Sequence, residues 1–390
     1  MPKRNMEIKA LTKKDIEELS NRKEARVIAF SLYLGVKARR NFVSEANSVI
    51  SNAIKRIEKD ELYSKKNKKK ITEIASEMKK EIRFLKLPDK TRSIVMFCDT
   101  RGMRRIYHIP AYIPSKFVIE SNFYIHPLIK ALEKYPRYLV VILERDKARF
   151  FSIFLGGIEE SSEVLRSEVP QMINAARAEW KSLRETKIQG HIRNHLRRHL
   201  KKAAKKTEDY FKYKKTKFSY LVIGAHRELV EKFVEILDEK SRNNLIGSYH
   251  IVPDYDLNRI KKKSQEVINE YEKKVEEKTI KNLFNGSNKR KRSAVIGIDA
   301  VLENFYPRNI DTLVVGKNYK ESGYVCPKCR CISFYLKSCP KCKSKMSKVG
   351  DIADEIIEEA VTGKIKIKHL LYPHKEFDKF GIGAFLKMVI

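Results

Sequence analysis

The chain has 390 residues, with 83 Lys and Arg against 49 Asp and Glu, a formal net charge of 83 − 49 = +34. That length suits roughly two to four domains of ~100–200 residues. The 42% hydrophobic content is enough to build buried cores and excludes a chain disordered throughout. Lys rises here without matching Glu, so the surplus points to a polyanionic partner; each cation that meets a phosphate releases a condensed counterion.

Residues 1–22 are polar and helical in character, a lead-in. Val27–Leu34 is rich in β-branched and aromatic residues and predicts a strand. A basic helical stretch follows, with Val43, Ala46, Val49, Ile50 and Ile57 near helical spacing. Lys65–Lys70 (KKNKKK) is expected as a cationic turn, either a solvated loop or an RNA contact. Ser93–Cys98 and Arg105–Ile109 predict a hairpin turning at Thr100-Arg101-Gly102. The first domain is expected over residues 1–135.

The second domain, 136–285, opens with Tyr138–Leu143 as a buried strand. Arg149–Leu155 pairs with it through a turn at Arg145-Asp146-Lys147, and Gly156-Gly157 closes that strand. A polar loop is expected from Pro170 to Gly190. A long helix over His191–Tyr213 then carries the apolar face Ile192, Leu196, Leu200, Ala203, Thr207 and Phe211. Strand Tyr220–Gly224, helix Glu228–Leu237 and strand Gly247–Val252 complete a β-α-β-α-β order, which predicts an α/β layer with parallel strands. A charged helix, Leu257–Leu283, leads to a linker at Asn285–Arg292.

The third domain, 286–390, is read as helix Val295–Phe305, strand Thr312–Gly316, helix Ile352–Val361, strand Lys364–Leu371 and the closing segment Gly381–Ile390. Between them, residues 324–346 hold Cys326-Pro-Lys-Cys329 and Cys339-Pro-Lys-Cys342. Zinc takes four ligands in a tetrahedron, and two C-x₂-C turns supply both sides of the ion. The sphere is then closed to water, so Cys326, Cys329, Cys339 and Cys342 predict a structural zinc ribbon; the competing reading is a redox dithiol pair. Cys331 is a spare that could replace Cys329, and Cys98 reads as a core thiol. Paired C-x₂-C motifs suit a reducing compartment. No apolar run approaches the ~20 residues of a membrane span, and the polar start Met1-Pro-Lys-Arg-Asn has no signal-peptide core. The expected location is the cytoplasm.

Three segments resemble the archaeal/eukaryotic class-1 peptide release factors, Pelota and their divergent bacterial and archaeal relatives, Balon-like hibernation factors included. Tyr135-Pro-Arg-Tyr-Leu-Val-Val-Ile-Leu-Glu-Arg-Asp-Lys-Ala-Arg-Phe-Phe resembles the strand pair opening the central domain. Gly190-His-Ile-Arg-Asn-His-Leu-Arg-Arg-His-Leu-Lys resembles the long helix after its tip loop. Asp351–Ile390, ending in Gly381-Ile-Gly-Ala-Phe-Leu, resembles the close of the third domain. The resemblance spans about residues 25–390. It implies an α+β and α/β multidomain fold of three domains, with a ribbon in the last one similar to that of archaeal release factors. It also implies that the N-domain faces the decoding site and the central domain the peptidyl-transferase centre. The third domain would contact a translational GTPase of the EF-Tu/EF-1-alpha type.

Two departures bear on function. Release factors act through Gly-Gly-Gln, whose glycines let the backbone approach the ester. That tripeptide is absent, and Gln189-Gly190 in the corresponding loop is a reversed fragment. The stop-codon motif Asn-Ile-Lys-Ser is also missing; Asn52-Ala-Ile-Lys55 resembles it only superficially. No catalytic residue is assigned. The resemblance then implies a ribosome-binding factor that occupies the A site of vacant or stalled ribosomes, in hibernation or rescue. The candidate RNA contacts are Arg177, Trp180, Arg184 and Gln189 of the loop and His191, Arg193, Arg197, Arg198, Lys201, Lys202 and Lys205 of the helix. Trp180 is either a loop anchor or a stacking platform. The basic helix face tracks a phosphate backbone or is simply solvated. His191, His195 and His199 fall on one helix face at i, i+4, i+8, expected as part of an RNA-facing surface rather than a metal row. Two alternatives stay open: a peptidyl-tRNA hydrolase or release activity of the divergent loop, and a non-ribosomal RNA-binding or nuclease role.

Overall fold

The computed structural model describes residues 8–22, 27–58, 64–120, 122–166, 181–212, 217–251, 256–288 and 293–387. The chain forms two compact units, one of Met1–Lys134 with Glu276–Ile390 and one of Tyr135–Val275. It is a mixed α+β multidomain protein, with four sheets among the described residues.

The N-terminal part of the first unit runs β1 (Ile8–Ala10), α1 (Lys13–Asn21), β2 (Ala29–Gly35), α2 (Phe42–Glu58), α3 (Lys65–Arg83), β3 (Ser93–Asp99), β4 (Arg104–Ile109), β5 (Lys116–Glu120) and α4 (His126–Lys134). Its sheet has the order β1-β4-β3-β2-β5. The predicted hairpin is present as β3 and β4, with Gly102 at φ +93 in the turn. Alternate strand residues Phe30, Leu32, Leu34, Ile94, Met96 and Cys98 meet Ala46, Ile50, Ile71, Ala75 and Met78 of α2 and α3. Cys98 is thus a core thiol, its pKa pushed up to about 12 by burial.

Two sequence expectations are corrected in this part. KKNKKK is not a turn but the start of α3. Ser64 caps it by accepting the Asn67 N–H, and the buried stripe Ile71, Ala75, Met78 and Ile82 holds it. The residues before Arg22 are more than a lead-in. β1 pairs in parallel with β4, a Thr12–Asp15 capping box starts α1, and Leu11, Ile16 and Leu19 are buried.

The second unit runs β6 (Tyr138–Leu143), β7 (Lys147–Phe154), β8 (Gly157–Arg166), α5 (Lys181–Lys212), β9 (Tyr220–Gly224), α6 (Arg227–Ile236), α7 (Glu239–Asn243), β10 (Leu245–Tyr249) and most of α8 (Leu257–Gly286). Its sheet order is β10-β9-β6-β7-β8; β10, β9 and β6 are parallel, and β7 and β8 antiparallel. The strands alternate between two cores. Leu139, Val141 and Leu143 face α5 and α6, whereas Tyr138, Val140 and Ile142 face Ile260 and Ile268 of α8. That is the period of 2 a strand covered on both faces requires. α5 is longer than expected and already helical at Lys181. Lys, Leu, Arg, Glu and Gln between 181 and 189 are good helix formers, and Gly190 costs only about 1 kcal/mol inside the helix.

The first unit resumes with the end of α8, β11 (Ala294–Ile296), α9 (Ile298–Phe305), β12 (Ile310–Val315), β13 (Gly323–Val325), β14 (Ile332–Ser333), β15 (Ser347–Val349), α10 (Ile352–Thr362), β16 (Lys366–His369) and β17 (Ile382–Leu386). Val295-Ile296 is strand rather than helix. Both residues pair with β17, and Gly297 at φ +94 makes the turn into α9. β11-β17-β12-β16 form one sheet and β14-β13-β15 a small ribbon. α9, α10 and the ribbon share one core through Val301, Val325, Ile332, Ile356 and Ile357. Among the described residues no helix is long and apolar enough to cross a membrane.

Candidate metal centre and nucleic-acid interface

The two cysteine motifs fold as copies of one turn. The N–H of Cys326 donates to the Cys331 carbonyl and the Arg330 N–H donates to the Cys326 carbonyl, each 2.8–2.9 Å. In the second copy Cys339 N–H donates to Ser344 and Lys343 N–H to Cys339, both at 2.9 Å. Arg330 and Lys343, each four residues after the first cysteine, hold matching positive φ of 57 and 60. The turns face each other, so Cys326 Sγ lies 3.4 Å from Cys342 Sγ and Cys329 Sγ 3.4 Å from Cys339 Sγ. All four sulfurs lie within 4.8 Å of one another. A tetrahedron with metal–sulfur bonds of ~2.3 Å has edges of about 3.8 Å, so the set fits a thiophilic metal ion with no bond left for water. Hydrogen bonds from Ser344, side chain first and then backbone, bring the Cys342 thiol down to about 6, toward the thiolate a metal needs. Cys331 is not part of this group. It is buried in the place that Ser344 takes in the second turn.

Arg330, directly after the first motif, reaches across to α10. It meets Glu355 at 2.8 Å, Glu358 at 3.5 Å and Glu359 at 4.0 Å. Burial, with the charges of Glu120 and Glu355, pushes the Glu358 carboxyl up to about 8 despite that guanidinium.

On α5 the predicted apolar face is observed from Leu196 on: Leu200, Ala203 and Thr207 are buried, and Leu196 and Phe211 are partly so, while the Ile192 side chain lies outside the described residues. Arg193, Arg197, Arg198, Lys201, Lys202 and Lys205 are all exposed, and among the described residues none has an acidic partner. The helix therefore displays a continuous cationic strip. The histidine row divides. His195 is partly exposed, but His199 is 2% exposed and points inward against the backbone of Lys147 and Glu144. Burial lowers its pKa, so it is no part of an RNA-facing surface. Arg184, Gln189 and His191 lie on α5, but their side chains are outside the described residues, as are Arg177 and Trp180 altogether.

A second polar centre was not anticipated. In the first unit, His126 Nδ1 bonds Asp354, whose other oxygen accepts from the Tyr124 hydroxyl at 2.9 Å. His126 Nε2 meets His369 Nε2 at 2.9 Å, and His369 Nδ1 meets Glu133 at 2.6 Å. Lys130 and Lys116 flank the group; Lys116 lies 3.8 Å from Asp354. Its bonded partners are 228 to 243 residues apart in sequence, and no local spacing signals them.

Residues 124–286 match the model of the bacterial archaeo-eukaryotic release factor family 10. Comparison with curated proteins returns no match. Among solved structures the chain is similar to an archaeal translation termination factor, aRF1, at 14% identity, covering 97% of this chain and 99% of that one with a TM-score of 0.27. It is similar to Archaeoglobus fulgidus Pelota at 15% identity, covering 76% and 79%, with a TM-score of 0.33. It is also similar to S. cerevisiae Dom34 at 13% identity, covering 73% of each chain, with a TM-score of 0.38. The family match takes in β6 and β7, the cationic α5 and all of α8. Residues 124–286, less than half of the chain, are thus similar to the bacterial archaeo-eukaryotic release factor family 10.

Proposed function

We propose that this protein is a cytoplasmic ribosome-binding factor that occupies the A site of vacant or stalled ribosomes, in hibernation or rescue, without Gly-Gly-Gln chemistry. The observation that carries this reading is the unpaired cationic strip of α5, displayed within the stretch that matches the release-factor family. Six exposed cations on one helix neutralise phosphates at little structural cost, because none is engaged elsewhere among the described residues. The three-domain division at 135 and 285, and a translational GTPase of the EF-Tu/EF-1-alpha type as partner, belong to the same reading. So does zinc at Cys326, Cys329, Cys339 and Cys342, in a structural role, since four thiolates leave no open position.

The test is co-sedimentation with ribosomes over a salt series, paired with a peptide-release assay on loaded ribosomes. Binding that weakens steeply with salt, with no peptide released, is the expected result. No binding even at low salt overturns the reading. Release that is lost in Gln189→Ala replaces it with a hydrolase.

A further inference from the structure

The ribbon carries cationic side chains and no acidic ones. Residues 323–349 contain seven cations (Lys328, Arg330, Lys337, Lys341, Lys343, Lys345 and Lys348) and no Asp or Glu. Four thiolates around a divalent ion carry −2, which still leaves 7 − 2 = +5 on 27 residues. This charge is sorted by face. Val325 and Ile332 pack on α10, and Arg330, the ribbon's one guanidinium, is tied to the α10 carboxylates. The six lysines are all exposed, and among the described residues none has an acidic partner. Lys341 lies over the Tyr306 ring, 4.1 Å from its centroid.

The outer end carries apolar surface as well. Tyr335 is 66% exposed and Leu336 41%. The Leu336 N–H is fixed by the Ser333 hydroxyl at 3.1 Å. Ser338 bridges to Lys345, and the Met346 N–H donates to the Lys337 carbonyl at 2.9 Å, which sets Lys337 beside Lys345. An open aromatic ring is thus held on the short loop between the two cysteine turns, among ammonium groups.

We propose that this face of the ribbon binds unpaired RNA, with Tyr335 stacking on a base and Lys337, Lys343 and Lys345 meeting the flanking phosphates. The inference rests on the reading of the protein as an RNA-associated factor and adds a second contact surface remote in sequence from α5. Unpaired RNA is the occupant the chemistry favours. A base offers the planar partner an exposed ring needs. Ammonium groups suit the diffuse charge of phosphate, whereas carboxylates are best held by the forked guanidinium, which here faces inward. Two apolar side chains are too few to hold a membrane surface.

The experiment is fluorescence anisotropy of the full chain with a labelled oligo(A) strand, and with the same strand annealed to oligo(U). Tyr335→Ala is expected to weaken binding of the single strand by about 5- to 100-fold and that of the duplex much less, with Tyr335→Phe restoring it. The triple change Lys337→Gln, Lys343→Gln and Lys345→Gln is expected to flatten the log–log salt dependence by about 2, from ~0.7 per phosphate. Metal content equal to the parent's verifies that each variant ribbon is folded. Arg197→Gln with Arg198→Gln on α5 is measured alongside. If only that pair weakens binding, the ribbon inference falls and the RNA reading stands; if the parent binds no RNA, both fall. Displacement of RNA by polyglutamate, with no effect of Tyr335→Ala, identifies an acidic protein as the partner and overturns the proposal.

Discussion

The imidazoles of His126 and His369 meet tip to tip. Their Nε2 atoms are 2.9 Å apart and their planes lie within 24°, while the ring centroids are only 4.9 − 2.9 = 2.0 Å farther apart than the nitrogens. That is nearly the sum of two ring radii, so the approach is close to linear, as a hydrogen bond requires. Each Nδ1 is turned to a carboxylate, Asp354 for His126 and Glu133 for His369. The two rings and the two carboxylates thus form one continuous chain of polar contacts. The residues come from opposite ends of the first unit, His126 and Glu133 from α4 and Asp354 and His369 from α10 and β16. The network therefore fastens the N-terminal part of that unit to its C-terminal part. His369→Phe removes the partner of His126 Nε2 and the side-chain partner of Glu133, which keeps the residue-369 backbone N–H, and is expected to cost about 1–3 kcal/mol in chemical denaturation. Combined with Glu133→Gln the cost is expected to be less than additive, since both changes break one network. Strict additivity would show that the four groups act separately.

Glu358 makes the same region sensitive to pH in a defined direction. Burial and the neighbouring carboxylates raise its folded pKa from the ordinary 4.5 to about 8. A carboxyl so raised binds more protons in the folded state than in the unfolded one. Its contribution is therefore fully present below pH 4.5 and is lost as pH rises through about 8. His126 acts in the opposite sense, because burial lowers its pKa and disfavours folding below the ordinary 6.5. The Glu358 effect is isolated by difference. Glu358→Gln is expected to change stability little near pH 4.5 and to become progressively stabilising toward pH 8, measured by denaturation across that range. A pH-independent difference would contradict the assignment.

Metal removal is expected to unfold the ribbon. The small sheet β14-β13-β15 has few core residues besides Val325, Ile332 and the buried cysteines themselves. Structural zinc supplies on the order of 10 kcal/mol to comparable small units at neutral pH. One metal per chain is the expected stoichiometry, with a tetrahedral all-thiolate spectrum after cobalt substitution. Cys342→Ser is expected to lose the ion and Cys331→Ser to keep it. Retention of cobalt in Cys342→Ser and loss in Cys331→Ser would move the spare thiol into the ligand set.

Local patterns announced most of the fold. The β6 run Tyr138–Leu143 shows its two-sided burial in the sequence, and the paired C-x₂-C motifs place four sulfurs together because a turn fixes each pair. KKNKKK misled because charge density says nothing about the apolar stripe that begins at Ile71 and decides the helix. Val295-Ile296 misled because a run of three strand residues has no visible period, and its partner β17 lies at the end of the chain. The His126–Asp354–His369–Glu133 network was invisible for a similar reason. Each residue is unremarkable in its own segment, and only tertiary pairing across more than 200 residues gives it a role.

The histidine row on α5 tests how finely a helix face is read. His199 follows Arg198 directly, yet a step of about 100° per residue carries it from the cationic strip to the core side. There its Nε2 is buried with no hydrogen-bond partner among the described residues, and burial disfavours the charged ring. His199→Ala is expected to lower the stability of the second unit by about 1–3 kcal/mol, through the lost packing and backbone hydrogen bonds, and to leave ribosome binding and its salt dependence unchanged. Arg197→Gln with Arg198→Gln is expected to do the reverse. Stability stays within about 0.5 kcal/mol, as for exposed positions. The slope of log affinity against log salt falls by roughly 1.4–1.8, two contacts at about 0.7–0.9 each. Thermal denaturation and sedimentation on the same two proteins separate the roles. A salt slope altered by His199→Ala, or untouched by the arginine pair, would mean that the strip on α5 is not the surface that meets phosphate.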